Sequence, residues 1–189
     1  MPQMSRIEED LGYVRAAVTR MDRFRSPAAS YFLWAAIVAA GFSLVDLAPR
    51  VVGLYWLAAA PAGFVLSVWL GWRASRRAGE MARAEALRHM LHWLGLLAAG
   101  GLALLPVLTG QTSRYGFAAT VVLLTALAYW LAGVHGDRAM LVVGALLGAG
   151  YAVIVLLPGP VWTITGLLIG AAMAAAGWSA GRRRAPEAA

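Results

Sequence analysis

The stretch 161-VWTITGLLIGAAMAAAGWSAGRRR-184 decides the fold. From Val161 to Ala180 it holds no ionisable side chain. At about 1.5 Å of helix rise per residue, about 20 such residues cover a hydrocarbon layer about 30 Å thick. Arg182, Arg183 and Arg184 then end the run, because a guanidinium left in hydrocarbon is costly. An apolar run of membrane length closed by a basic cluster reads as a transmembrane helix whose basic end stays on the cytoplasmic side.

The same pattern recurs toward the N-terminus. Apolar runs span Tyr31–Leu47, Val51–Trp72, Leu91–Leu108, Tyr115–Gly133 and Ala139–Leu157, separated by short polar segments. Apolar residues make up 61% of the 189-residue chain, charged residues only 13%, and the mean hydropathy is +0.69. A water-exposed surface could not accommodate that composition. The expected fold is therefore an all-α integral membrane protein, a compact bundle of six transmembrane helices preceded by an N-terminal amphipathic interfacial helix. The expected division is 1–28 for that amphipathic segment, 29–181 for the membrane domain and 182–189 for a short basic tail. The layout resembles small bacterial inner-membrane proteins, without a motif specific enough to carry a function across.

Charge sets the expected orientation. All sixteen cationic side chains are arginines, and fourteen of them fall in segments that this alternation places on one side; only Arg50 and Arg114 fall on the other. Retention of basic segments on the cytoplasmic side produces this bias. It predicts both termini in the cytoplasm of a bacterial-type inner or plasma membrane. The net charge of +7 thus argues for topology and for contact with membrane lipids, not for nucleic acid. The first thirty residues carry nine charges, unlike a secretory signal, so the segment is expected to be retained. Within it Leu11, Val14, Val18 and Met21 recur at helical spacing. That stripe suits a membrane surface, the protein's own inner ends or a membrane-protein partner.

Small residues mark packing faces. Gly144 and Gly148 form a GxxxG pair in the fifth span, and Gly166 and Gly170 form another in the sixth. Such faces let helix backbones approach, here expected to meet each other within one chain or to support a homo-oligomer. Ala171 and Ala175 extend the small surface of the sixth span. A faint correspondence at an offset of 106 residues links the second and sixth spans: Gly53 with Gly159, Trp56 with Trp162, Trp72 with Trp178 and Arg76 with Arg182. Pro61 lies well inside the second span, where a missing amide donor favours a kink.

Groups that could carry chemistry are few. His89, His92, His135 and Asp137 gather near one boundary; imidazoles and a carboxylate are metal ligands, although no HExxH or haem-attachment pattern is present. Asp46 lies at an outer boundary, with Gln111 and Arg114 as polar companions, and these, with Pro61, are the candidates for a transport role. No cysteine is present, which closes disulfide and thiolate chemistry. There is no nucleophile elbow, phosphate loop or paired intramembrane carboxylate, so no catalytic residue and no cofactor is expected. The function expected is a non-catalytic membrane regulatory or scaffold protein. The alternative is a small solute or ion transporter or channel, and a histidine-dependent metal or haem site comes third.

Overall fold

The computed structural model describes Gly12 and residues 27–78, 83–135 and 137–182. The stripe residues Leu11, Val14, Val18 and Met21 lie outside the described residues, as do Arg183 and Arg184. The helices are α1 (Ala28–Leu47), α2 (Val52–Ala78), α3 (Arg83–Ala103), α4 (Leu105–Leu108), α5 (Arg114–His135), α6 (Arg138–Leu156) and α7 (Val161–Arg182). Among the described residues six stretches are long and apolar enough to cross a membrane: α1, Val52–Ala74 of α2, Met90–Leu108 across α3 and α4, Arg114–Val134 of α5, α6 and α7.

Local chemistry explains the boundaries. Pro27 precedes α1 with φ −56 and ψ 137, an extended residue that supplies its carbonyl to Ser30 N. The third span breaks at Leu104, two residues before Pro106, since a proline ring crowds the preceding turn and offers no amide hydrogen. One further turn, α4, ends where the Thr109 hydroxyl folds back to Leu105 O at 3.1 Å. Gly110 then takes φ +72, a left-handed value open to glycine at little cost. In contrast, α2 runs as one helix through Pro61.

The helices pack in the order α2, α1, α7, α6, α5, α3, with α1 against α7 and α5 against α6 the most extensive pairs. The second and third spans, consecutive in sequence, therefore stand at opposite ends of the row. None of the third span's membrane-length stretch is buried and only 6% of the second's, against 44% of α7's. The core accordingly sits among α1, α5, α6 and α7, where Val143, Ile154, Ile169 and Met173 are each 1% exposed.

Glycines set the close approaches. In α7 the buried row Gly166, Gly170, Met173 and Gly177 faces α1: a Cβ on Gly170 would lie 3.0 Å from Ala35 O, and one on Gly177 3.1 Å from Ala28 O. A Cβ on Gly166 would run into the Phe42 side chain. In α6, a Cβ on Gly144 would stand 2.5 Å from Trp130 N and 2.9 Å from Ala126 O of α5, whereas Gly148 has nothing within 4 Å. The two GxxxG faces therefore do not meet each other. One turns to α5, at Gly144 alone, and the other turns to α1. Ala171 and Ala175 are exposed, on a different side of α7 from that glycine row.

The correspondence between the second and sixth spans has a spatial counterpart. Both α2 and α7 pack on α1, and Trp56 and Trp162 each meet Phe42 of α1 edge-on, with centroids 6.2 and 5.4 Å away. At the far ends Arg76 stacks on Trp72 and Arg182 on Trp178, at 3.7 and 5.2 Å. Tryptophan with a guanidinium over its face suits the zone between hydrocarbon and headgroups.

Candidate functional site

At each end of the bundle a carboxylate meets the start of a helix. Asp46, in the last turn of α1, accepts a 2.7 Å hydrogen bond through Oδ2 from Thr163 N in the first turn of α7. The first amides of a helix have no intrahelical acceptor and carry partial positive charge, so Asp46 caps α7 from 117 positions away. Around it rings join four helices edge to face: Tyr55 to Trp56 at 5.4 Å, Trp56 to Phe42, Phe42 to Trp162, and Trp162 to Tyr115 at 5.5 Å. The Tyr115 hydroxyl donates to Ile154 O at 2.7 Å, tying α5 to the end of α6. Within this cluster Trp162 Nε1 and Thr163 Oγ1 are buried without a hydrogen-bond partner. Buried indole N–H groups ordinarily have one.

At the opposite, arginine-rich end, Asp137 caps α6. Its φ of −98 and ψ of 104 place it just outside the helix; Oδ1 accepts from Ala139 N at 3.1 Å, and Oδ2 accepts from the buried Tyr31 hydroxyl at 2.5 Å. The start of α1 is thereby fastened to the start of α6. His92 places Nε2 3.0 Å from Ala128 O, and its neighbour Trp93 packs edge-on against Tyr129 at 5.2 Å; together these attach α3 to α5. The side chains of His89 and His135 lie outside the described part. Among the described residues no three His, Cys, Asp or Glu side chains group as a metal set.

The four residues singled out for transport differ in their surroundings. Asp46 is drawn into the cap of α7, while Pro61, Gln111 and Arg114 are exposed. Hydroxyls within the spans turn to their own helices: Ser43 to Ala39 O, Thr120 to Gly116 O, Thr125 to Val121 O and Ser179 to Ala176 O, all between 2.7 and 2.9 Å. Ser67 instead accepts from Trp34 Nε1 at 2.9 Å, and the Tyr55 hydroxyl donates to Ile37 O at 2.8 Å, so both serve the α1–α2 contact.

Sequence reasoning passed over Tyr31, Phe42, Tyr115 and Ala128 as polar or aromatic partners. Tyr31 and Tyr115 each open an apolar span, and an amphipathic ring at that place was the available signal. Comparison with family models, with curated proteins and with solved structures gives no match.

Proposed function

We propose that the chain is a non-catalytic membrane protein with a regulatory or scaffolding role. The supporting observation is the commitment of Asp46 and Asp137 to helix N-termini. An ion path needs stabilising groups at several depths, and between the two ends the hydroxyls of Ser43, Ser67, Thr120 and Thr125 bond to their own helices or to a neighbouring one. The chain offers surface instead. Leu54, Leu57 and Val65 of α2 and Leu97 and Leu102 of the third span are more than half exposed, and the amino-terminal segment, whose stripe is read from the sequence, precedes α1. In this reading the arginine-rich end faces the cytoplasm of a bacterial-type membrane, both termini lie there, and the stripe engages a membrane-protein partner or the inner membrane surface. The fourteen-to-two division of arginines supports the orientation.

Paired variants test the role. Changing Leu11, Val14 and Val18 together to Ala should weaken recruitment of a crosslinkable membrane partner, or inner-surface association of the amino-terminal segment, while the six spans remain inserted. Unchanged recruitment and association would oppose the reading. One observation favours transport as a second reading: unpartnered Trp162 Nε1 and Thr163 Oγ1 lie at the Asp46 end, where a polar solute could be held. Asp46→Asn would then change flux and leave recruitment alone.

A further inference from the structure

Between the first turns of α6 and the last turns of α7 lies an open groove of about 310 Å³. Buried Val143 is its floor, Ala139 and Val142 wall it from α6, and Ala172, Ala175 and Ser179 wall it from α7. Its shape follows from the packing of α7. At the Asp46 end, Gly150 lets the Thr165 side chain press against α6. Toward the arginine-rich end, Gly170 and Gly177 draw α7 onto α1, and short alanines face the side where α6 runs. Ser179 donates to Ala176 O at 2.8 Å, so its hydroxyl is already used and the lining is essentially hydrocarbon.

Two arginines flank the lining residues in sequence on the arginine-rich side. Arg138 directly precedes Ala139, Arg182 follows Ser179 by one helical turn, and both are exposed. Arg182 stacks on Trp178, which restrains its stem. Asp137, the acid next to Arg138, is engaged by Tyr31 and Ala139 N, and among the described residues neither arginine pairs with a carboxylate.

We propose that this groove binds an anionic glycerophospholipid, one acyl chain lying along it and the phosphate meeting Arg138 and Arg182. An apolar slot with, on its headgroup side, two arginines that pair with no carboxylate among the described residues complements an amphiphile with an anionic head. A second copy of the chain fits less well. Packed in parallel it would bring its own Arg138 and Arg182 to the same end, adding like charge where the slot needs the opposite. The site goes beyond the scaffold reading and does not depend on it.

The test uses the full chain, delipidated in mild detergent and titrated with phosphatidylglycerol or phosphatidylcholine under native mass spectrometry. One saturable phosphatidylglycerol per chain is expected, with phosphatidylcholine retained far less. Arg138→Gln and Arg182→Gln should each weaken retention about fivefold, and together about 25-fold. Ala175→Phe, which fills the groove from an exposed position, should abolish retention with helix content unchanged; Arg50→Gln with Arg114→Gln, at the other end, should leave it intact. Equal retention of both lipids, or of phosphatidylglycerol by wild type and Ala175→Phe, would overturn the proposal. So would a dimer that Ala175→Phe dissolves without any lipid being held, which would assign the groove to a second copy.

Discussion

Two glycines four residues apart on α6 allow the close approach of helices to be weighed directly. Changing either Gly144 or Gly148 to Ala raises helix propensity by the same amount, about 1 kcal/mol, so that contribution cancels in a comparison. What differs is the surroundings. The new carbon at Gly148 meets nothing within 4 Å, but at Gly144 it would stand 2.5 Å from Trp130 N, where ordinary contact begins at 3.4 Å, a shortfall of roughly 0.9 Å. Ala126 O crowds the same point at 2.9 Å. Both atoms belong to the backbone of α5 and cannot rotate away, so relief requires α6 to retreat and to lose dispersion contacts along the pair. Overpacking of this kind costs about 1–3 kcal/mol, and an obstructing backbone favours the upper half of that range. Gly144→Ala should therefore unfold more readily than Gly148→Ala by about 2 kcal/mol, roughly 30-fold in the unfolding equilibrium constant. Reversible unfolding in bicelles, followed by steric trapping, measures the difference. Equal stabilities, or the opposite order, would refute the α5–α6 geometry.

Three further outcomes follow from the two ends of the bundle. Asp46→Ala should destabilise the fold by about 1–2 kcal/mol, since it strips a cap from α7, and Asp46→Asn should cost less because an acceptor remains; thermal unfolding in nanodiscs that ranks Asn below Ala would contradict the cap. Tyr31→Phe keeps the ring but removes the bond to the Asp137 carboxylate, a loss of about 1.5–3 kcal/mol, and wild-type stability in that variant would show the bond to be unimportant. The chain has no native cysteine, so single cysteines at Arg50 and Leu157 should label from outside intact cells while those at Arg73 and Gly181 stay protected. Labelling of all four from one side would break the alternation.

The spans were legible because length and hydropathy act locally. Arginine clusters marked their basic ends, and Pro106 and Gly110 announced the close of the third span, though the break itself falls at Leu104. Neighbour order was not legible. Lipid-facing and helix-facing apolar residues have the same composition, so nothing in Gly144 or Gly166 says that one looks to α5 and the other to α1. The partner of Asp46 lies 117 positions away, and pairing at that distance leaves no local trace. Asp137 is different: an acid directly before an apolar helix is an N-cap signal, obscured by the nearby histidines that suggested a metal set. The Trp56 and Trp162 correspondence was visible in the sequence, but its spatial counterpart, two helices flanking Phe42, appears only in three dimensions.

The most direct test of the proposed role is flux through the purified full chain in proteoliposomes. Protons, sodium, potassium, chloride and a small neutral solute would be followed against protein-free vesicles of the same lipid. The scaffold reading predicts rates indistinguishable from those vesicles for every species. Saturable flux of any one of them, lost in an Asp46→Asn chain that remains inserted and folded, would contradict it and give the protein a transport function.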